Sequence, residues 1–469
     1  VRIIVVGAGE VGTYIADRLS RQEHDIALIE LNPERFREID AELDVLAING
    51  SGTDSAALEK AGIAETDLLV AATNKDEINL FSALLARQAG VGKTIVRVES
   101  RKLRSKEVAA LFEKFDDHLV IDPDQEVANS VLRLMEYPGA MDLARMANEE
   151  VVVIGARLPA HAPLVGVSLH ALGRELDPDW DFIVGAITRK VESDDSEEVT
   201  IVPRQDEILR EGDLLRVICK SRALHDVTNR LGIARDVPRR ALLLGGGRTA
   251  EMIAESLLYR GVDVAIIEKR HERALELSEN LARALIYEGD VTDVEMLEEA
   301  DVARQDLVIA LTGEDDANVL ACLYAKSVSA QSKRTSGNGE DGIETIAVVH
   351  RLKLLDLLET NQVDTALSPR TATANSVLRF VRGDVGSVAA VETFLHGDVE
   401  ILEFAVSDES PCVGRSIEDM ELTKGALVGA IVRDGKAQIA RGHSTFRAND
   451  HVIAIAKPES VEKLTTLFV

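Results

Sequence analysis

The chain opens on a short apolar run, Ile3 to Val6, that stops at the glycines Gly7, Gly9 and Gly12. A continuous apolar run bounded by turn residues predicts a buried parallel strand over Val1–Val6. Val11, Ile15 and Leu19 then recur at helical spacing and predict a helix over Val11–Arg21. Ile26–Glu30, Leu68–Ala72 and Ile95–Val98 read as further strands, with an apolar helix over Ile78–Ala89 between the last two. Strands alternating with helices of this length predict βαβ units and a doubly wound parallel sheet. Past residue 150 the pattern changes. Val151–Arg157, Phe182–Arg189 and Leu214–Cys219 are short strands joined by turn-rich segments with little helix, which predicts a compact α+β lobe.

The same text is then written again, the signature of an internal duplication. Gly7, Gly9 and Glu30 return as Gly245, Gly247 and Glu268. Gly50 in NGSGTD answers to Gly289 in EGDVTD, and Thr73 and Asn79 answer to Thr312 and Asn318. The register then lengthens in the second copy across Ser327–Gly342, a polar Ser/Gly-rich stretch expected to be a flexible surface loop. The match resumes with Pro123 against Pro369, Pro163 against Pro411, and REGDLLRVICK (210–220) against RANDHVIAIAK (447–457). The chain is therefore two copies of a unit of roughly 235 residues, each a larger front lobe and a smaller rear lobe. The expected boundaries are 1–147 and 148–235 for the first unit, and 236–387 and 388–469 for the second. The charged connector 231–240, with Pro238, separates the two units.

Composition narrows the field. Aromatics are only 3% of the 469 residues, so the core rests on Val, Ile, Leu and Ala, as covered parallel sheets do. The 81 acidic and 53 basic residues leave a net charge of −28, which repels phosphate backbones and speaks against nucleic-acid binding. That charge suits a salt-rich cytosol or simply an acidic soluble protein. Cys219, Cys322 and Cys412 lie far apart without a Cys-x-x-Cys, which fits a reducing compartment and gives no metal site. The chain starts on a strand and a glycine loop rather than a signal peptide, and no apolar run reaches the length of a membrane span. Any membrane role is expected to come through a partner.

Gly7-Ala8-Gly9-Glu10-Val11-Gly12 satisfies G-x-G-x-x-G directly after a strand and at the mouth of a helix. Gly7 permits the tight turn, Gly9 lets a pyrophosphate approach the backbone, and Gly12 lets helix and strand pack closely. The helix N-terminus adds free N–H groups and a positive dipole end. Glu30 ends the next strand about twenty residues on, where a carboxylate accepts both ribose hydroxyls and disfavours a 2′-phosphate. That predicts NAD(H) over NADP(H), provided there is room for a diphosphate above Gly9. Gly50 and Ser51 follow the third strand and are expected to bound the adenine pocket. Thr73 and Asn74 follow the fourth, placed either to reach phosphate or the second ribose, or simply to cap the next helix. Arg97 lies within a strand, where it meets ligand phosphate or Glu77, or makes a surface salt bridge.

In the second copy Gly245-Gly246-Gly247-Arg248-Thr249 survives, with Ala250 in place of the third glycine, which the pattern tolerates. Glu268, Asp290 and Thr312 complete the second set of candidates, as either a binding cleft or a scaffold that kept its fold. Gly92-Lys93-Thr94 is not a P-loop, because Arg87 stands where its first glycine belongs. Neither glycine loop has a nearby histidine for proton transfer, and no nucleophile motif appears, so no catalytic residue is assigned.

Taken together, IIVVGAGEVG, LIE at 28–30, NGSGTD, AATNKDEIN, IDPDQEVA and MEYPGA at 135–140 make the chain resemble the TrkA family of peripheral potassium-uptake regulators, built from tandem RCK/KTN units. The resemblance covers essentially the whole chain. It implies a cytoplasmic subunit on the inner membrane face, without transport or enzymatic activity of its own. Family members bind NAD(H), and some bind ATP or ADP. They assemble as dimers or tetramers into a ring under a TrkH-like or TrkG-like potassium translocator. The resemblance implies Gly7 to Val11, Glu30, Thr73, Asn74 and Arg97 as binding positions, with Gly245 to Thr249 and Glu268 in the second copy. Some relatives carry a second arginine two residues after Arg97; Glu99 stands here, and the second copy has Val348 and His350 in that stretch. Both changes weigh against tight ATP binding more than against NAD binding.

A nucleotide bridging two lobes shifts a hinge only if it binds one state better. Such a regulator needs no covalent chemistry. Ile78–Leu85 and Val319–Tyr324 are rich in apolar residues and serve either an assembly face or ordinary core packing. The rival readings are an NAD-dependent oxidoreductase and a regulator of a cation–proton antiporter.

Overall fold

In this computed structural model, the described residues are all except 21–23, 105–116, 192–193, 337–341, 352–362, 383–387, 394–398, 421 and 469. The first lobe alternates strand and helix as its apolar pattern requires. Its elements are β1 (Arg2–Val6), α1 (Glu10–Ser20), β2 (Asp25–Glu30), α2 (Pro33–Glu42), β3 (Leu46–Asn49), α3 (Ser55–Lys60), β4 (Leu68–Ala71), α4 (Asp76–Gln88), β5 (Lys93–Arg97), β6 (His118–Ile121) and α5 (Pro123–Leu134). The strands form one parallel sheet in the order β3-β2-β1-β4-β5-β6. This is the doubly wound order, with its topological switch between β1 and β4. Ile3 to Val5 are fully buried, as a strand covered by helices on both faces demands.

The first small lobe holds β7 (Asp142–Met146), β8 (Val151–Arg157), α6 (Leu169–Leu176), β9 (Phe182–Val191), β10 (Asp194–Ile201), β11 (Leu214–Lys220) and α7 (Leu224–Arg230). Its antiparallel sheet runs β10-β9-β11-β8-β7.

The second copy repeats both designs. Its parallel sheet is made of β12 (Arg240–Leu244), β13 (Asp263–Glu268), β14 (Leu285–Glu288), β15 (Leu307–Ala310), β16 (Glu344–Val348) and β17 (Thr365–Leu367), in the order β14-β13-β12-β15-β16-β17. Its helices are α8 (Arg248–Tyr259), α9 (His271–Asn280), α10 (Val294–Glu299), α11 (Asp315–Ser336) and α12 (Pro369–Arg382). The second small lobe is β18 (Val388–Thr393), β19 (Glu400–Ala405), β20 (Ala426–Arg433), β21 (Lys436–Ile439), β22 (His451–Ala456) and α13 (Pro458–Phe468), with the sheet order β18-β19-β22-β20-β21.

One expectation is corrected. The polar stretch from Ser327 was read as a loop, but α11 runs on to Ser336 and is 22 residues long, against 13 for α4. Ser, Gln, Lys and Ala tolerate helix once a buried first half has paid nucleation. Residues 337–341 of that stretch lie outside the described residues.

The described chain falls into two compact units. One is 1–127 with 368–380; the other is 128–367 with 381–469. Each nucleotide lobe thus takes in the crossover segment that follows the other copy's sheet or begins beside its own. In the first unit, Glu126 accepts a hydrogen bond from Ser376 at 2.6 Å. In the second, the buried Glu344 accepts from the Gly139 N–H at 3.0 Å.

Within the second unit the two small-lobe sheets share one core. Val151, Val153, Ala186 and Ile218 of the first pack with Ile401, Ala430, Ile453 and Ile455 of the second. Glycines make the close approach possible. A Cβ on Gly185 would fall on Ile455 Cδ1, and a Cβ on Gly429 would fall on Ile218 Cδ1. These are equivalent positions of the repeat, so the seam is reciprocal. Each small lobe is also pinned by the same bidentate pair, Arg189 on Asp213 at 2.7 Å and Arg433 on Asp450 at 2.7 and 2.8 Å.

Candidate functional site

The first cleft opens at the carboxyl ends of β1, β2 and β4. Gly7 has a φ of 95°, in the left-handed region, and a Cβ there would meet Thr73 Cγ2 at 2.7 Å. A Cβ on Gly12 would strike the Gly7 carbonyl oxygen, so helix α1 can start this close to β1 only with glycine there. Above Gly9 the space is open: the nearest heavy atom to an added Cβ is Arg35 Nη1, at 3.9 Å.

Glu30 is wired to the loop it is expected to serve. Its Oε2 accepts from the Ala8 N–H at 2.7 Å and its Oε1 from the Asn32 N–H at 2.7 Å. A carboxylate offers about four lone-pair positions, so roughly two stay open for ribose hydroxyls. Leu31, immediately after it, is exposed although apolar. At the far edge, Asn49 Nδ2 donates to the Glu30 carbonyl, and the Ser51 and Thr53 hydroxyls lie 2.9 Å apart.

Thr73 is held by a fully buried amide. Asn79 Oδ1 accepts from the Thr73 N–H at 2.9 Å and from its hydroxyl at 2.6 Å, while Nδ2 donates to the carbonyls of Thr73 and Arg97. The Thr73 hydroxyl also accepts from the Lys75 N–H, a local turn before α4 rather than a cap, since no side chain caps the N-terminus of that helix. Asn74 is exposed at the rim. Arg97 is paired, though with Glu99 rather than Glu77: its Nε donates to Glu99 Oε1 at 2.9 Å. Glu99 follows just past the end of β5. Asp76 caps the same edge by accepting from the Glu99 and Ser100 N–H groups.

The second cleft has the same frame. Gly245 has a φ of 98° and closes on Thr312, and Asn318 repeats every bond of Asn79, reaching the Val348 carbonyl at 2.8 Å. Glu268 Oε2 accepts from the Gly246 N–H at 2.8 Å. Burial raises the Glu268 carboxyl, but bonds from the Arg270 and Gly246 N–H groups and the Arg270 guanidinium outweigh it and hold the group below the ordinary range. Asp290 is pulled down by its bond from Lys269 at 2.8 Å and by the Thr292 N–H and hydroxyl. Arg248 and Thr249 begin α8, half-buried.

Sequence reasoning missed the part that five side chains play in shaping these clefts. Asn79 and Asn318 were visible as a recurrence, but not as the amides that staple two strand ends. Arg35 and its equivalent Arg273, on α2 and α9, reach back over the glycine loops. Glu251, on α8, takes the place that Thr13 holds in the first copy. All three cysteine thiols are buried and pushed up, to about 12 for Cys219 and Cys322 and about 11 for Cys412, which makes them poor nucleophiles. Among the described residues, no His, Cys, Asp and Glu group is arranged to hold a metal ion, and no helix is long and apolar enough to cross a membrane.

Two doubly wound lobes with glycine loops and strand-end carboxylates, each followed by a small antiparallel lobe, define a tandem dinucleotide-fold chain. The TrkA-N domain model matches residues 3–123 and 241–369, and the TrkA-C domain model matches 153–232 and 401–469. The chain belongs to the TrkA potassium-uptake family. The Trk system potassium uptake protein TrkA of Halomonas elongata is 31% identical over 463 residues, covering 96% of this chain and 95% of that one. The TrkA homolog of Archaeoglobus fulgidus is 30% identical over 468 residues, covering both chains completely. Among solved structures, the GsuK RCK domain aligns with a TM-score of 0.58 at 17% identity, over 100% of this chain and 94% of its own. The GsuK channel bound to NAD aligns with a TM-score of 0.57 at 16% identity, over 100% of this chain and 78% of its own. These structures share the fold.

Proposed function

We propose that the chain is the nucleotide-sensing regulatory subunit of a Trk-type potassium uptake system. It binds NAD(H) in the first cleft, or ADP or ATP through the same adenosine half. It acts by binding rather than turnover, on the cytoplasmic face of the membrane, as a homo-oligomeric ring beneath a TrkH-like or TrkG-like translocator. The binding positions are Gly7 to Gly12, Glu30, Gly50 and Ser51, with Thr73, Asn74 and Arg97 lining the phosphate side.

The observation that carries this reading is the bond from the Ala8 N–H to Glu30. It couples the pyrophosphate-binding loop to the ribose-binding carboxylate in a cleft open above Gly9. A nucleotide there replaces or shares that bond, so occupancy and loop geometry are linked. A ligand favours one lobe arrangement only by the difference in its affinity for the two, and a hundredfold difference is worth about 2.7 kcal/mol.

Calorimetric titration of NADH, NAD⁺, ADP and ATP into wild type and Glu30→Ala tests the site. The expected result is loss of affinity by tenfold or more in the variant. Unchanged NADH affinity in a folded Glu30→Ala protein rejects the assignment. Potassium uptake by cells expressing the chain with a co-purifying translocator, with and without Glu30→Ala, tests the regulatory role.

A further inference from the structure

The two clefts share a frame but differ in what is free to meet a ligand. In the first, Arg35 stands over the second glycine of the loop. Its guanidinium has no hydrogen-bond or ion-pair partner among the described residues, and Nη1 lies 3.9 Å from where a Gly9 Cβ would be. In the second, the equivalent Arg273 is bound on every side. Its Nε donates to the Gly246 carbonyl at 2.8 Å, its Nη2 to Glu251 at 2.8 Å, and its Nη1 pairs with Glu276 at 2.7 Å. Only 13% of its side chain is exposed. Glu251 is itself buried and is held from its other oxygen by Asn280 at 3.0 Å.

The carboxylates differ in the same direction. Glu30 accepts two hydrogen bonds, but Glu268 accepts three, from Gly246 and Arg270 N–H groups and from Arg270 Nε at 3.1 Å. By lone-pair count about one position is left for a ribose, where Glu30 keeps about two. Where Leu31 offers an apolar surface at the adenine edge of the first cleft, Lys269 stands in the second, tied to Asp290.

We infer that the second cleft does not take a diphosphate nucleotide in the chain as it stands, and that Glu251 is the residue that closes it by sequestering Arg273. This rests on the nucleotide reading of the first cleft. A free cation over the loop adds to the pull that a helix N-terminus exerts on a diphosphate. Arg35 can supply one without breaking a bond. Arg273 would have to abandon the buried carboxylate of Glu251, which is costly. In the first cleft the position of Glu251 holds no carboxylate. Thr13 at the same position of α1 is neutral and donates its hydroxyl to the Ala8 carbonyl at 3.1 Å.

The test is the stoichiometry of ADP binding to the full chain by calorimetry. Wild type is expected to bind one ADP per chain and to lose it in Glu30→Ala. Glu251→Thr is expected to bind two, and the double variant Glu30→Ala/Glu251→Thr one, at an affinity within about tenfold of the first cleft. Glu251→Gln, which keeps the size and the Asn280 contact, controls for packing, and is expected to raise second-cleft affinity tenfold or more. Two wild-type sites, one of them removed by Glu268→Ala, overturn the inference. So does a single site in both Glu251 variants when their thermal midpoints show them folded. A chain that binds no ADP, or binds one that Glu30→Ala does not affect, instead rejects the underlying nucleotide reading.

Discussion

Arg370 donates to Glu10 across 360 positions of sequence, with Nε 2.9 Å from Oε2. Glu10 begins the helix that follows the first glycine loop, and Arg370 lies in the first turn of α12, beyond the second parallel sheet. The contact lies within the first unit, so a segment encoded by the second copy is fastened at the mouth of the first cleft. Arg370→Gln is expected to loosen residues 369–376, read as faster amide hydrogen exchange there. The Arg370 side chain is 19% exposed and Glu10 48%, so solvent screening keeps the coupling at or below about 1 kcal/mol. A double-mutant cycle with Glu10→Gln measures it, and it shrinks in high salt.

Asn79 is fully buried and serves the backbone of Thr73 and Arg97 at once. Asn79→Ala orphans a Thr73 N–H and an Arg97 carbonyl, and is expected to cost about 2–4 kcal/mol. Urea unfolding checks this. Asn318→Ala is expected to behave alike in the second lobe, and equal costs would identify the amide as part of the frame rather than of ligand binding.

Glu344 gives a pH dependence with a definite sign. Burial pushes its carboxyl above the ordinary 4.5 and Asp364 adds to the rise, while the Gly139 N–H, Arg235 and Lys326 oppose it. The unfolded chain ionises this group near the ordinary value, so the ionised form penalises the fold. The penalty is absent below that value, grows as pH rises through the raised folded value, and is complete above it. Glu344→Gln is therefore expected to raise the thermal midpoint at pH 8 and to lose that advantage towards pH 4. Its amide oxygen can still accept from Gly139.

Gly429→Ala is expected to destabilise by about 1–3 kcal/mol, because its methyl meets Ile218. Ile218→Val removes the offending Cδ1, so the pair Gly429→Ala/Ile218→Val is expected to recover much of the loss. The same relation holds for Gly185→Ala with Ile455→Val. Guanidinium unfolding of the four singles and two doubles tests the reciprocity of the seam.

The strand and helix order of both parallel sheets was legible because β1, β2 and β4 are short apolar runs stopped by turn residues, and because every element occurs twice. The glycine loop and Glu30 were legible because their spacing has a backbone reason. Arg35, Arg273 and Glu251 were not, since the two arginines reach from a helix to a loop distant in sequence and Glu251 reaches to a neighbouring helix, and periodicity records only which face of a helix is apolar. For Arg97 the surface salt bridge offered as an alternative is present, with Glu99 two residues on rather than with Glu77 on the neighbouring helix. The stretch from Ser327 was misjudged because its polarity resembles a loop, while helix continuation depends on what precedes it. Nothing in either small lobe's own pattern announced that Gly185 and Gly429 were sockets for the other's isoleucine, because that complementarity exists only between the copies.

Those matched sockets turn what would be an encounter between separate molecules into a property of one polypeptide. A tether supplies its own local concentration, set by its length and stiffness. The docking of the two rear lobes is therefore independent of how few copies of the protein a cell contains, and dilution of the purified chain should leave it unchanged.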